Sequence, residues 1–220
     1  MEAERIDLEG WTLRARLPLH PEGAPVLIML HGRLGTEDVM WIFGRKIPAS
    51  FTVFSPRALH PALKGGYSWV KNRASGFSSH EDFRPAVDAL DGLVATLAAR
   101  FPADFSKVHV MGFSQGAALG YSWAARSPGR LSSLAVLAGF PPSGLEINLG
   151  SAAWAGLPVL IAHGSQDETV PVALAEEGLR IAQSAGAEAE LVTDAVGHKL
   201  GGNGMRALGD LYAGFRTVGK

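Results

Sequence analysis

The stretch "HVMGFSQGAA", residues 109–118, holds Ser114 between two glycines, each two positions away. This is the G-x-S-x-G pattern, but random placement of 27 glycines and 16 serines over 220 residues would give about 0.24 matches per chain. The context therefore matters. The preceding "KVHVMGF" has the continuous apolar character of a strand buried on both faces, and "QGAALGYSWAAR" after it is predicted to be a helix. Ser114 is thus expected on a sharp strand-to-helix turn, which would hold its Oγ at the carboxyl edge of a sheet.

The rest of the chain repeats this alternation of strands and helices. Apolar or alternating stretches predict strands at residues 24–32, 51–56, 107–114, 131–139, 157–164 and 188–194, the last at an edge, and a hairpin at 4–18. Helical patterns cover residues 80–100, 115–126, 170–187 and 204–216. This order indicates an α/β fold with a mostly parallel sheet and helices on both faces. Segments 56–79 and 140–156 have no assigned element, and such long loops are often functional.

Composition indicates one ordinary globular domain over residues 1–220, with 47% hydrophobic and 19% charged residues. The net charge is −1 and no dense run of basic residues occurs, so nucleic acid and membrane surfaces are not expected as partners. The absence of cysteine excludes disulfides, thiolate metal sites and a cysteine nucleophile. The N-terminal "MEAERIDLEG" lacks signal-peptide character and "VLIML" is too short to span a bilayer, so a cytoplasmic location is expected.

A serine hydroxyl becomes a strong nucleophile when a base accepts its proton, and that base is expected to be a histidine oriented by a carboxylate. Where such an elbow occurs, the chain order is serine, acid, histidine, and only two histidines follow Ser114. His198 follows the predicted strand 188–194, and Asp167 follows the strand 157–164. Both are therefore expected at the sheet edge where Ser114 lies. We predict that Ser114 is the nucleophile, Asp167 the orienting acid and His198 the base.

Other residues were weighed for the same roles. If His163 were the base, the acid would have to lie between it and the nucleophile, where Glu146 is the one carboxylate and follows no strand. Asp194 is close to His198 in sequence and stays open as an alternative acid, although it is expected to end a strand or form a turn. His163 and His31 are interpreted as structural histidines that bond nearby backbone. No metal-spaced histidine pair, P-loop or dinucleotide motif occurs, so neither a metal nor another cofactor is expected.

The negative charge that develops on a substrate oxygen needs two preorganised N–H donors. One is expected to be the backbone N–H of Gln115, the residue after the nucleophile. The other should come from "HGRLGTED", residues 31–38, whose glycines let the backbone approach closely. The N–H of Arg33 is the first choice and that of Leu34 the second. The same loop is compatible with a plain turn in which Thr36 caps a helix.

Several motifs carry a resemblance to a known family. They are "LHGRLGTEDVM", "GFSQGAAL", "AGFPP" and "IAHGSQDETVP", followed by "GH" at 197–198, in this order over residues 30–198. In them the chain resembles the phospholipase/carboxylesterase family of the α/β-hydrolase superfamily, which includes acyl-protein thioesterases and small bacterial carboxylesterases. The resemblance implies the α/β-hydrolase fold and a serine hydrolase of carboxylic esters, with acyl-thioesters or lysophospholipids as alternatives. It carries the triad onto Ser114, Asp167 and His198 and the oxyanion donors onto Arg33 and Gln115.

One departure separates the chain from the acyl-protein thioesterases, which usually read HGLGD where this chain reads "HGRLGTED". The arginine resembles the bacterial esterase subset, and Leu34 stands where that subset often has glycine. This difference argues against activity on palmitoylated proteins. A binding protein of the same fold without catalysis is the alternative of another class, and the presence of all three triad residues argues against it.

The loop 56–79 is expected to line the substrate pocket. Tyr67 and Trp69 are predicted to form its wall together with Leu34 and Phe140, unless the loop is merely solvated and anchored by its aromatics. Basic side chains of the loop could attract an acidic substrate; they are Arg57, Lys64, Lys71 and Arg73. No stretch is long enough for a separate cap domain, so an open, shallow site for a small ester is expected. The oligomeric state stays open, a homodimer included.

Overall fold

The computed structural model of the chain describes residues 3–71, 76–146 and 149–215. Its strands are β1 (Glu4–Leu8), β2 (Trp11–Arg16), β3 (Pro25–Leu30), β4 (Thr52–Pro56), β5 (His60–Pro61), β6 (Tyr67–Ser68), β7 (Asp104–Phe113), β8 (Leu131–Leu137), β9 (Pro158–Gly164) and β10 (Glu188–Asp194). Its α-helices are α1 (Arg84–Arg100), α2 (Gln115–Arg126), α3 (Val172–Ser184) and α4 (Gly202–Ala213), and 3₁₀ helices cover Val39–Lys46 and Glu81–Phe83.

Eight strands form one sheet in the order β1-β2-β4-β3-β7-β8-β9-β10. The hairpin β1–β2 and the pair β2–β4 are antiparallel, and every other pair of neighbours in this sheet is parallel. The mostly parallel sheet with an N-terminal antiparallel hairpin is therefore confirmed. The strand β10 lies at the edge, as its alternating sequence predicts.

The central strands are apolar throughout because both faces of the sheet are covered. In β3, Ile28 and Leu30 pack into one core cluster with residues of α1 and α2. Leu27 and Met29, which point to the opposite face, pack into a second cluster with residues of α4 and of the 3₁₀ helix Val39–Lys46. Helices on both faces are thus confirmed. None of the helices in the described part of the chain has both the length and the apolar character that a membrane crossing needs.

Some predicted boundaries differ from the structure. The helical pattern at 80–100 begins as the 3₁₀ turn Glu81–Phe83, and the α-helix follows with Pro85 in its first turn. The unassigned segment 56–79 contains the small antiparallel pair β5–β6. The 3₁₀ helix Val39–Lys46 follows the loop in which Thr36 was considered as a helix cap, but its bounds were not predicted, because its eight residues are too few for a clear helical period. The last helix ends at Ala213, and residue 216, where the prediction ends it, lies outside the described residues.

Candidate active site

Ser114 lies on the turn between β7 and α2 in an unusual backbone conformation, with φ +51° and ψ −114°. Such a conformation costs a residue with a side chain about 1–3 kcal/mol, so the surrounding structure has to hold it. The Ser114 N–H donates to the carbonyl of Leu137 at 2.9 Å, and its own carbonyl accepts the N–H groups of Ala117 and Ala118. The turn is therefore fixed on both sides, by β8 and by the first turn of α2.

The two glycines that flank Ser114 are required because three backbone segments meet there. A Cβ atom added at Gly112 would lie 2.3 Å from the carbonyl oxygen of Gly116. A Cβ atom added at Gly116 would lie 2.1 Å from the carbonyl oxygen of Leu30 in β3. Both distances are far below van der Waals contact. The G-x-S-x-G pattern thus reflects the close packing of an elbow, with strand before and helix after as the sequence predicts.

Asp167 and His198 are in direct contact. The distance from His198 Nδ1 to Asp167 Oδ2 is 2.6 Å, and the other carboxylate oxygen accepts the backbone N–H groups of Thr169 and Val170, each at 2.9 Å. The Asp167 side chain is fully buried, whereas 24% of the His198 side chain is exposed. Burial by itself would raise the pKa of Asp167, but the hydrogen bonds from Val170, His198 and Thr169 together lower it. The carboxylate therefore stays ionised beside the imidazole.

A cavity of about 360 Å³ brings several of the predicted site residues together. Its lining includes Ser114, Gln115, His198, Arg33, Leu34 and Phe140. Apolar side chains of Val70, Phe77 and Val170 complete much of the wall, and the Phe77 and Phe140 rings pack with centroids 4.4 Å apart. The cavity therefore combines a serine, an imidazole and an apolar wall, which suits an uncharged substrate group beside the reacting bond.

The two backbone groups considered for the second oxyanion donor differ in their hydrogen bonds. The Leu34 N–H donates to the carbonyl of Tyr67 at 2.8 Å and is therefore engaged within the protein. This bond favours Arg33, the first choice, which lines the cavity. The Gln115 N–H belongs to the first turn of α2, where backbone donors have no partner within the helix. Arg33 and Gln115 therefore stay the predicted oxyanion donors.

A family model matches the sequence of this chain over most of its length. The model of the phospholipase/carboxylesterase family matches residues 20–211. The chain belongs to this family. It is accordingly a hydrolase of the carboxylesterase type, and its sheet and helices have the α/β-hydrolase architecture. A search of curated protein sequences finds no match.

Several solved structures share the fold of this chain at low sequence identity. The carboxylesterase of Bacillus cereus superposes with a TM-score of 0.82 at 20% identity, covering 94% of this chain and 95% of that one. The carboxylesterase of Mesorhizobium loti gives 0.80 at 22% identity, with 96% and 99% covered. SOBER1 of Arabidopsis thaliana gives 0.71 at 19% identity, with 86% and 97% covered. These likenesses support the α/β-hydrolase fold of the chain.

The two histidines that were weighed against His198, His163 and His31, bind backbone groups of this phospholipase/carboxylesterase chain. His163 Nε2 lies 2.9 Å from the carbonyl of Val170 and 3.5 Å from Asp167 Oδ2, behind the carboxylate that His198 contacts. His31 Nδ1 donates to the carbonyl of Gly32, and its Nε2 accepts the N–H of Ala58, so both ring nitrogens are engaged. Burial lowers the pKa of His31, which keeps the ring neutral. Both residues have the structural environment expected of them.

The alternative acids also have other partners. The carboxylate of Asp194 accepts the N–H groups of Asn203 and Gly204 in the first turn of α4, at 3.1 and 2.9 Å. It ends β10 and satisfies helix donors that would otherwise lack an acceptor. Glu146 pairs with Arg180 at the exposed surface. Asp167 is the carboxylate that contacts His198.

The structure does not place Tyr67 and Trp69 in the lining of the cavity, where they were expected. Trp69 is 1% exposed, and its Nε1–H donates to the carbonyl of His31 beneath the site. Tyr67 packs under the guanidinium of Arg57, and neither aromatic lines the cavity. Side chains alternate along an extended segment, so Ser68 and Val70 face the cavity instead.

The basic residues of the same loop are corrected in part. Arg57 forms a two-bond ion pair with Glu37 and is not directed at the substrate cavity. Lys71 does line the cavity, whereas Lys64 does not. Arg73 lies outside the described residues. The cations that line the cavity among the described residues are thus Arg33, Lys71 and His198 when it is protonated.

A second, apolar cavity was missed by the sequence analysis. It has a volume of about 250 Å³ and shares Arg33 and Leu34 with the first. Its wall includes Val39 and Ile42 of the 3₁₀ helix, which are 42% and 72% exposed, and Phe113, whose ring centroid lies 5.0 Å from that of His198. The apolar residues Val39 and Ile42 could have indicated this cavity in the sequence, but the bounds of the helix that carries them were not predicted, so they could not be placed on a common helix face.

Proposed function

We propose that the chain is a serine carboxylesterase that cleaves carboxylic esters through an acyl-enzyme intermediate. The observation that carries this proposal is the contact of 2.6 Å between His198 Nδ1 and Asp167 Oδ2, beside a cavity that also exposes Ser114 on its elbow. The carboxylate fixes the imidazole with a proton on Nδ1, which leaves Nε2 free to accept one. Family membership supports the same class of reaction.

The first half-reaction forms the acyl-enzyme. His198 Nε2 takes the proton of the Ser114 hydroxyl while Oγ attacks the ester carbon, and the carbonyl electron pair moves onto the oxygen. The backbone N–H groups of Arg33 and Gln115 stabilise this oxyanion. When the tetrahedral intermediate collapses, the bond from carbon to the alcohol oxygen breaks. The departing alcohol takes the proton from His198, and the acyl group remains on Ser114.

The second half-reaction releases the acid. His198 takes a proton from a water molecule, whose oxygen attacks the acyl carbon and restores the oxyanion between the same two N–H donors. Collapse breaks the bond to Ser114 Oγ, which regains its proton from His198. The products are a carboxylic acid and an alcohol, and the side chains return to their initial protonation states.

The dimensions and lining of the two cavities support small to medium esters as substrates. The larger cavity has an apolar wall that includes Val70, Phe77 and Phe140, which suits a hydrocarbon group next to the carbonyl. Acyl-thioesters are the second candidate, because the adjoining apolar cavity with Val39 and Ile42 adds surface that a longer chain could cover. A protein that merely binds ligands would have no need for the strained elbow at Ser114.

A fluorophosphonate probe and an ester panel test the proposal together. The probe should label the wild-type chain rapidly and leave Ser114→Ala unlabelled, because only an activated serine reacts fast. p-Nitrophenyl esters of increasing chain length, run beside acyl-thioesters, then separate carboxylesterase from thioesterase. Rapid labelling of a folded Ser114→Ala variant, or equal turnover by both proteins, would overturn the assignment of the nucleophile.

A further inference from the structure

Arg57 joins two separate segments near the active site. Its Nε and Nη2 donate to the two carboxylate oxygens of Glu37, at 2.8 and 2.7 Å, and its Nη1 donates to the Tyr67 hydroxyl at 3.1 Å. The Glu37 side chain is only 3% exposed. The hydrogen bonds from Arg57 lower the pKa of Glu37, and those to Glu37 raise the pKa of Arg57, so both stay charged. Arg57 therefore holds the loop after β3 to the segment of β6.

The backbone of Tyr67 continues this connection to the loop that contains Arg33. Tyr67 N–H donates to the carbonyl of Gly35 at 2.9 Å, and its carbonyl accepts the N–H of Leu34 at 2.8 Å. A Cβ atom added at Gly66 would lie 2.0 Å from the Leu34 carbonyl oxygen, so the two backbones are in close contact. Leu34 has a φ of +71°, which is unfavourable for leucine and must be held by its surroundings. These bonds fix the peptide unit next to Arg33.

The next two residues of the same segment bind the other proposed donor. The Gln115 side-chain oxygen accepts the Trp69 N–H at 3.0 Å, and the Gln115 amide nitrogen donates to Ser68 Oγ at 3.1 Å. Trp69 Nε1–H also donates to the carbonyl of His31, at the start of the loop that contains Arg33. Gln115 is buried, with 6% exposed. One short segment therefore contacts both sides of the proposed oxyanion hole.

We infer that five residues, Glu37, Arg57, Tyr67, Ser68 and Trp69, act as a brace that sets the distance between the Arg33 and Gln115 N–H groups. They are positioning residues: none is assigned a bond to the reacting atoms, and each acts through the loop or through the Gln115 side chain. The inference rests on the proposed function. Its physical basis is that N–H donors stabilise an oxyanion strongly only when they are already aimed at it before the reaction.

The chain offers a matched control for the ion pair of the brace. Arg14 pairs with Asp38, the residue directly after Glu37, but this pair is more exposed, at 38% and 53%, and Arg14 donates to Asp38 and to the carbonyl of Ala3 rather than to Tyr67. Replacing Arg14 disturbs a salt bridge at the same loop without breaking the connection from Arg57 to Tyr67 in β6. A difference between the Arg57 and Arg14 variants therefore reports on the brace and not on loss of an arginine from this loop.

The test compares Arg57→Lys, Tyr67→Phe and Arg14→Lys with the wild type in ester hydrolysis, with active sites titrated by phosphonate. Lysine keeps the charge but cannot form both bonds to Glu37 and the bond to Tyr67. We expect Arg57→Lys to lower kcat by about 10- to 100-fold while KM changes less than about twofold, since misplaced donors weaken mainly the transition state. An alkylboronic acid, which forms a tetrahedral adduct on the serine, should lose affinity in parallel. Arg14→Lys should change none of these values.

Two further results separate a positioning role from a structural one. The double variant Glu37→Gln with Arg57→Lys should be no slower than the worse single variant, because both break the same connection. If Arg57→Lys lowers only the melting temperature and the active fraction keeps its kcat and boronate affinity, the brace is structural and the inference is wrong. Ser114→Ala, run in the same series, tests the proposed function. If this variant hydrolyses the ester as fast as the wild type, both the proposed function and the brace are overturned. If hydrolysis depends on Ser114, the function stands, and the Arg57 variants then test the brace alone.

Discussion

Replacing Asp167 by asparagine removes the charge beside His198 without changing the size of the side chain. The structure determines which way the new amide would point. Asp167 Oδ1 accepts backbone N–H groups of Thr169 and Val170, so the amide oxygen of asparagine must take that position to avoid placing its NH₂ against two donors. The NH₂ group is then directed at His198, where the carboxylate oxygen was 2.6 Å from Nδ1.

This orientation inverts the hydrogen bond to the imidazole. Facing a donor, His198 Nδ1 has to act as acceptor, so the proton of the neutral ring moves to Nε2. A ring with its proton on Nε2 cannot take the proton of Ser114. The expected loss in kcat is about 10⁴-fold, which corresponds to about 5 kcal/mol in the activation free energy. The fold should persist, because the two backbone hydrogen bonds to the side chain at position 167 are kept.

The assay is steady-state hydrolysis of a p-nitrophenyl ester by Asp167→Asn and Asp194→Asn, with thermal unfolding of both variants. Asp194 binds the first turn of α4 and has no contact with His198 among its hydrogen bonds, so its variant should retain kcat within a few fold. The reasoning fails if a folded Asp167→Asn variant retains more than a tenth of wild-type kcat. It fails equally if Asp194→Asn is the more damaging of the two.

Four other expectations concern stability, pH and substrate size. Both Ser114→Gly and Ser114→Ala should be inactive, but the free energy of unfolding should be about 1 kcal/mol greater for Ser114→Gly, because glycine accepts a φ of +51°. Thermal unfolding of the two variants measures this difference. Asp194→Ala should cost about 1 kcal/mol in urea unfolding with kcat retained, since α4 loses the acceptor of two N–H groups. Burial lowers the pKa of His109 to about 4 in the folded chain, whereas the value in the unfolded chain is about 6.5. Between these pH values the unfolded chain binds a proton at His109 and the folded chain does not, so the free energy of unfolding decreases as pH falls from about 6.5 to 4. The variant His109→Phe should show a smaller decrease over this range. For p-nitrophenyl esters, kcat/KM should rise by nearly fourfold per CH₂ over the first few carbons of the acyl chain and then level or fall. The rise per CH₂ should be smaller in Phe77→Ala. A steady rise in kcat/KM to palmitoyl length would contradict this expectation.

The strands and helices around the candidate site could be predicted because their sequences are periodic or continuously apolar. The elbow at Ser114 needed only a buried strand, a helix and two glycines in the tight space between them. Leu34 stands where the bacterial esterase subset often has glycine, and its φ of +71° is one that glycine adopts freely. Local sequence carries this kind of information because a turn is determined by the few residues that form it.

The aromatics of loop 56–79 could not be placed for a different reason. Alternation along an extended segment says that Tyr67 and Trp69 share one face and that Ser68 and Val70 share the other. It does not say which face meets the substrate. That choice depends on Arg57, which binds both the Tyr67 hydroxyl and Glu37, 20 positions away from it. It also depends on Gln115, which binds the Trp69 N–H from 46 positions away. Large aromatic side chains were assigned to the pocket wall, but they are used to anchor the loop.

The contact between Asp167 and His198 could be predicted despite their separation of 31 residues. In a parallel sheet, the loops that follow neighbouring strands begin at the same edge, so residues far apart in the sequence are brought close together. The strands β9 and β10 are neighbours, and Gly164 pairs with Asp194 where both strands end. Asp167 and His198 follow these ends by three and four residues, so both loops rise from the same edge. The two loops also bind each other, with Ser165 N–H donating to the carbonyl of Asp194 at 2.8 Å. The proposed oxyanion hole has no such register. Gln115 follows the end of β7 by two residues, but the loop of Arg33 is held by residues 57 and 67–69, which belong to no strand of the main sheet. Its geometry therefore depends on side chains that periodicity does not predict, and substitution of Arg57 tests it more directly than any change in the strands.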